Sequence, residues 1–204
     1  SDKNKIKNIL KVLKKYKINI ISSGGTYKKI KQLGYDCIEV SKYTNFPEIL
    51  NGRVKTLHPK IHSGILYKRS IPSHKNIIKM HNFESIDLVI TNFYPFQNTI
   101  DRTNNHNKII ENIDIGGPTL VRSAAKNYID VVVITKISQY EQLVNELNSY
   151  GGKTSLKFRA KMSREAFGET ANYDAAIYNY LNTYSKIKIP DKIIVSANLI
   201  EHFR

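Results

Sequence analysis

Residues 129–135 read Ile-Asp-Val-Val-Val-Ile-Thr, a run too short for a stable helix and dominated by β-branched side chains. Such a run fits a strand covered on both faces. Shorter runs of the same kind stand at Ile18 to Ile21, Cys37 to Val40 and Ile86 to Thr91. Between them the apolar period changes. Ile6, Ile9, Leu10 and Leu13 recur at helical spacing from about Asn4 to Lys15, and the same reasoning predicts helices over Tyr27 to Leu33, closed by Gly34, over Leu120 to Asn127 and over Ser138 to Ser149. Strands that alternate with helices build a mainly parallel sheet, so the expected class is α/β, doubly wound.

After the last strand, Leu156, Ala160, Phe167, Ala171, Ala175 and Leu181 are spaced for long helices from Ser155 to Leu181, with an interruption allowed for at Gly168. These are read as C-terminal helices appended to the domain. From Asn182 to Arg204 the periodicity is lost and Pro190 intervenes, so residues 1–181 are expected to form the domain and 182–204 a linker.

A chain of 204 residues buries one sizeable core. Lys and Arg number 32 against 17 acids, a net charge of +15, which attracts polyanions or small phosphorylated ligands. No aromatic-basic module accompanies the charge, so no nucleic acid is expected as partner. The single cysteine, Cys37, rules out an internal disulfide and suits a reducing cytoplasm. No metal-ligand cluster is visible, no apolar run is long enough for a membrane span, and the Lys-rich amino terminus lacks the apolar core of a secretory signal.

Four segments carry chemistry. Ser22-Ser23-Gly24-Gly25-Thr26 follows a strand and opens a helix, where turn amides and hydroxyls at Ser23, Gly24, Gly25 and Thr26 suit a phosphate; a plain capped turn is the alternative. In Gly52-Arg53-Val54-Lys55-Thr56-Leu57-His58-Pro59-Lys60, Arg53 and Lys55 alternate and would project together from an extended backbone around an anion, unless the loop is simply solvated. Thr91-Asn92-Phe93-Tyr94-Pro95-Phe96 leaves a strand end, offering the Asn92 amide and the Tyr94 ring and hydroxyl, or merely aromatic packing. In the segment from Ile113 to Asn127, Gly116-Gly117-Pro118 turns into a helix with amides aimed outward, and Arg122 and Lys126 share one face. Asp114 is the group expected to compensate that charge.

Together, and in this order, the four segments resemble the IMP cyclohydrolase domain of the bifunctional purine biosynthesis protein. The stretches Val40 to Glu48 and Thr170 to Ile177 fit the same pattern. The resemblance implies a methylglyoxal-synthase-like fold and a hydrolase of the cyclic-amidine class that closes 5-formamidoimidazole-4-carboxamide ribotide (FAICAR) to IMP and water, without cofactor or metal, as the last step of purine biosynthesis. It further implies a cytoplasmic homodimer and, in a parent chain, a following AICAR transformylase domain whose activity this chain is expected to lack. A strand usually precedes the Ser-Asp-Lys motif of the family, whereas this sequence starts at Ser1-Asp2-Lys3.

For the chemistry, a carboxamide nitrogen is a weak nucleophile and needs a proton acceptor as it attacks the formyl carbon; Asp114, coupled to Lys126, is the candidate. Backbone amides from Ile115 through Gly116 to Gly117 and the ammonium of Lys55 are candidates for the developing oxyanion. Tyr94 would position the ring, Asn92 the carboxamide, Arg53 and Thr56 would line the pocket, and Ser1 and Lys3 would assist the phosphate turn. The competing reading of another class is a non-catalytic nucleotide- or phosphate-binding regulatory module of the same fold. A methylglyoxal synthase would need paired catalytic carboxylates that these motifs do not show.

Overall fold

The computed structural model describes residues 5–93 and 96–197. The chain opens with helix α1 (Ile6–Lys15), which buries Ile9, Leu10, Val12 and Leu13 and leaves its lysines in water, as the spacing predicts. Strand β1 (Ile21–Ser22) runs straight into helix α2 (Gly24–Gln32), and strand β2 (Ile38–Glu39) into the short helix α3 (Val40–Thr44). A loop with one 3-10 turn leads to α4 (Pro59–Leu66) and α5 (Pro72–Met80), then strand β3 (Leu88–Ile90). Helices α6 (Phe96–Arg102), α7 (His106–Glu111) and α8 (Gly116–Lys126) precede strand β4 (Val132–Ile134), and α9 (Tyr140–Ser149) and α10 (Leu156–Tyr184) complete the order.

All strand pairing is parallel, β1 with β2 and β3 with β4, the latter in the register Leu88↔Val132, Val89↔Val133 and Ile90↔Ile134. The expected single sheet is divided into two two-stranded halves. Each strand is also shorter than its apolar run, because a residue counts in a ladder only where a neighbouring strand takes its amides. One hydrophobic core nevertheless serves both halves, with Val131 to Ile134 fully buried at its centre and Ile20, Ile21, Leu88 and Ile90 packed against it. The α/β class therefore holds, with helices outnumbering strands.

Helix α10 runs unbroken for 29 residues and passes the expected boundary at Leu181 by three. Gly168 does not interrupt it. That glycine lies on the exposed face, flanked by good helix formers, while Phe158, Met162, Ala166, Thr170 and Tyr173 form the buried stripe. Small residues on the stripe let α10 approach α8 closely enough for the Ser163 hydroxyl to donate to the Ala125 carbonyl at 2.7 Å. Beyond α10 the chain turns back along the same helix, held by Tyr178 Oη donating to the Lys192 carbonyl at 2.8 Å and Asn179 Nδ2 to the Ile194 carbonyl at 3.1 Å. Ile193, between those anchors, and Val195, just past them, point into solvent.

Candidate functional site

The turn after β1 brings Ser23 in extended conformation to the N-cap of α2, and Gly24 follows at φ +54°, a left-handed position that glycine takes without strain. The Ser23 side chain does not cap the helix, so the first-turn amides remain available to an anion. Ser1 and Lys3, expected to assist there, lie outside the described residues, as does Tyr94.

The basic loop is not extended. Ile49 bridges to Val54, and Leu50, Asn51 and Gly52 all take positive φ between them, which curls the loop into a tight turn. Gly52 is favoured by its φ of +88°, and a Cβ there would push aside Glu48, whose Oε1 would be 2.4 Å away. As a result Arg53 and Lys55 diverge. Arg53 forms a two-pronged ion pair with Glu111 at the end of α7, Nε donating to Oε1 at 3.1 Å, and Lys55 faces Glu48 at 3.7 Å. The bond to Glu111 raises the basicity of Arg53 and holds the Glu111 carboxyl below its usual range. The expectation that Arg53 and Lys55 converge on one anion is thus corrected: each cation has found its own carboxylate. Lys55 instead lines a small apolar hollow with Phe46, Ile49, Leu57 and Pro59. His58 is structural here, its Nδ1 accepting from the Lys60 amide at 3.1 Å to cap α4.

The loop does reach the Gly-Gly turn. Thr56 Oγ1 sits so close to Gly116 that a Cβ there would be 2.9 Å away. Beside it Asp114 folds over the start of α8, its Oδ1 accepting from the Gly117 amide at 2.9 Å. A Cβ on Gly117 would come within 2.2 Å of Asp114 Oδ2, so glycine is what lets the carboxylate lie against the helix end. The Asp114 amide in turn donates to Tyr173 Oη on α10 at 2.8 Å. Burial pushes the Tyr173 phenol up, partly offset by the bond from that amide, so the hydroxyl keeps its proton at neutral pH.

Two expectations for this segment change. The Gly117 amide is engaged by Asp114, so of the three amides expected to face an oxyanion only those of Ile115 and Gly116 remain candidates. Lys126 closes the other end of α8, ten residues beyond Gly116 and therefore about 15 Å along the axis. Both Lys126 and Arg122 are exposed, Arg122 resting over the Phe167 ring, and among the described residues no ion pair joins Asp114 to Lys126. The coupling of Asp114 to Lys126 within one chain fails because the helix axis separates its ends.

Behind the turn, His62 of α4 meets Ser123 of α8, Nδ1 to Oγ at 3.1 Å. Ser123 Oγ also donates to the Thr119 carbonyl at 2.9 Å, and His62 Nε2 is buried beside the contact. Burial lowers the pKa of His62, and the nearby Thr56 carbonyl works the other way. At the carboxyl end of β3, Asn92 Nδ2 donates to Tyr140 Oη at 3.3 Å. Asn92, Phe93, Tyr173, Lys136, Glu169 and Asn172 line a cleft of about 450 Å³ there, large enough for a mononucleotide. The Lys136–Glu169 ion pair, 2.6 Å, closes one side of it. Among the described residues no three His, Cys, Asp or Glu side chains are grouped to hold a metal, and no helix is long and apolar enough to cross a membrane.

Motif reasoning missed Glu48, Glu111, His62 and Tyr173. Only Glu48 and Tyr173 had a signal, in the Val40–Glu48 and Thr170–Ile177 stretches that fit the family pattern. Compared with known proteins, residues 5–119 match the model of the MGS-like domain. The chain belongs to the MGS-like domain family. Residues 124–204 match the AICARFT/IMPCHase bienzyme model, so the two matches together take in nearly the whole chain. Bifunctional purine biosynthesis protein PurH of Clostridioides difficile is 47% identical over 180 residues, that of Ligilactobacillus salivarius 45% over 205, and that of Bradyrhizobium diazoefficiens 41% over 204. These alignments cover 88–100% of this chain but 35–40% of those proteins, so the chain spans about two fifths of its curated relatives. Among solved structures, the crystal structure of ForH superposes with a TM-score of 0.77 at 26% identity, covering 87% of this MGS-like chain and 93% of that one. The resemblance read from the motifs, and the fold it implied, are borne out.

Proposed function

We propose that this domain is an IMP cyclohydrolase, which closes the ring of FAICAR to IMP and releases water. What carries the reading is the Asp114 turn. A carboxylate fixed by the Gly117 amide at 2.9 Å, and by its own amide to Tyr173, stands beside Thr56 of the basic loop, so two distant segments of the family pattern meet around one potential proton acceptor. The match of residues 124–204 to a bienzyme family that includes IMP cyclohydrolase supports it.

In this reading the ribotide phosphate sits on the amides from Ser23 to Thr26 and draws on the positive field of the chain. Asn92 and Tyr94 orient the carboxamide and ring. The carboxamide nitrogen attacks the formyl carbon as Asp114 takes its proton. The formyl oxygen, gaining charge, is met by the amides of Ile115 and Gly116 and by Lys55, which leaves Glu48 to reach it. Protonation of that oxygen and loss of water complete the purine. Because both reacting groups belong to one molecule, orientation supplies several kcal/mol of the barrier reduction before any acid-base contribution. Arg53, paired to Glu111, holds the loop over the turn. The active form is a homodimer with α10 at its interface, and the segment after α10 leads to a transformylase domain in the longer parent protein.

A spectrophotometric assay of FAICAR cyclisation with the purified chain tests this. Turnover that is lost in Asp114→Asn supports it. Tight binding of IMP with no turnover at any enzyme concentration would transfer the reading to the phosphate-binding regulatory module.

A further inference from the structure

We propose that Tyr173 is a positioning residue for the reaction, setting Asp114 through the backbone; this rests on the cyclohydrolase reading given above. Tyr173 is buried in the middle of α10, and its ring is wedged between Phe93, 5.2 Å away between centroids, and Phe96, 6.1 Å away and edge-on. Both residues come from the segment that follows β3. The ring is therefore locked by packing on the same segment that carries Asn92, while its hydroxyl reaches the opposite wall and accepts from the Asp114 amide at 2.8 Å.

The consequence follows from connectivity. Asp114 has two restraints, the Tyr173 hydroxyl on its amide and the Gly117 amide on its carboxylate. The second alone leaves the Asp114 backbone free to rotate, because the residues from Asn112 to Ile115 lie between α7 and α8 and belong to neither helix. The first fixes that backbone to α10, an element anchored on α8 and β4 throughout the core. Tyr173 thereby sets the distance between the carboxylate and the Asn92 side of the cleft. It also lines that cleft, and its phenolic proton is donated to none of the described residues. A phenol that accepts one bond still holds a proton to give, so Tyr173 can accept from Asp114 and donate into the cleft at once.

The test is Tyr173→Phe, which keeps the ring against Phe93 and Phe96 and removes only the hydroxyl. The expected result is a fall in kcat of about tenfold to a hundredfold, the scale of a displaced catalytic group, with KM nearly unchanged and the melting temperature close to wild type. Tyr173→Leu, which loses the ring as well, should fall further in both kcat and stability. In parallel, hydrogen exchange at the Asp114 amide, read by NMR, should accelerate in Tyr173→Phe while amides in β4 stay protected. Wild-type kcat in Tyr173→Phe, or unchanged exchange at Asp114, overturns the proposal. A wild-type chain without turnover defeats the cyclohydrolase reading instead, and the exchange measurement then decides the positioning on its own.

Discussion

Replacing Gly117 with alanine separates catalysis from stability at one atom. The added Cβ would stand 2.2 Å from Asp114 Oδ2, 2.9 Å from Cγ and 3.2 Å from Oδ1. Non-bonded atoms settle beyond about 3.2 Å, so the carboxylate must retreat by about 1 Å. Retreat breaks the Gly117 N–H to Oδ1 bond, a cap worth about 1 kcal/mol. Alanine returns about the same amount through its better helix propensity, and Gly117 has no positive φ to forbid it. Net stability therefore changes by less than about 1 kcal/mol. Activity does not share this cancellation: a displacement of about 1 Å costs about a hundredfold in turnover, or about 2.7 kcal/mol of barrier. The assay is FAICAR cyclisation under saturating substrate, with melting followed by circular dichroism. If the loss acts through Asp114, the double variant Gly117→Ala/Asp114→Asn should be no slower than Asp114→Asn alone. A Gly117→Ala protein with wild-type kcat, or a double variant whose losses multiply, refutes the reasoning.

Gly168→Ala is the matched control, since a Cβ there meets nothing within 4 Å; it should raise stability by about 1 kcal/mol in urea denaturation and leave turnover unchanged. His62 titrates in the folded chain below its ordinary 6.5, so in the window beneath that value the unfolded chain holds a proton that the folded one lacks. Stability should accordingly fall as pH drops through 6.5, and His62→Gln should flatten that slope between pH values near 7.5 and 5.5, read by chemical denaturation. Asp114→Asn should cost about 2 to 4 kcal/mol in the chemical step. Because Lys126 lies at the far end of α8, any cost of Lys126→Ala should add to that of Asp114→Asn in the double variant; strong non-additivity in kcat would show that the two groups act as one.

The elements were legible where the signal is local. α1 declares itself by Ile6, Ile9, Leu10 and Leu13, and β4 by the run from Val131 to Ile134, because burial on one face or on both leaves a period in the chain. The division of the sheet was not legible, since pairing is settled between strands and a run of isoleucines at 18–21 reads the same with one neighbour or two. Site residues divide in the same way. Gly116, Gly117 and Asp114 announce a helix start within four residues, and the structure confirms that geometry. Arg53 misled, because its partner Glu111 lies 58 residues away and no spacing rule links them. Tyr173 stood out only as part of the Thr170–Ile177 stretch, and it is core; that its hydroxyl also holds Asp114, 59 residues earlier, is visible only once α10 is packed on α8.

The doubling back of the chain after α10 has a consequence for tethering. Ser196 hydrogen-bonds Asn172, so the backbone there is level with the middle of the helix and not with its tip at Tyr184. Twelve residues of helix separate those levels, about 18 Å. Asn172 is one of the residues that line the cleft. A cargo joined to the segment at Ser196 would thus be held beside the cleft, at an effective concentration set by that short reach. Were the segment to leave from the helix tip, the same cargo would sample a volume centred about 18 Å further off, and its encounter with molecules entering or leaving the cleft would be correspondingly rarer.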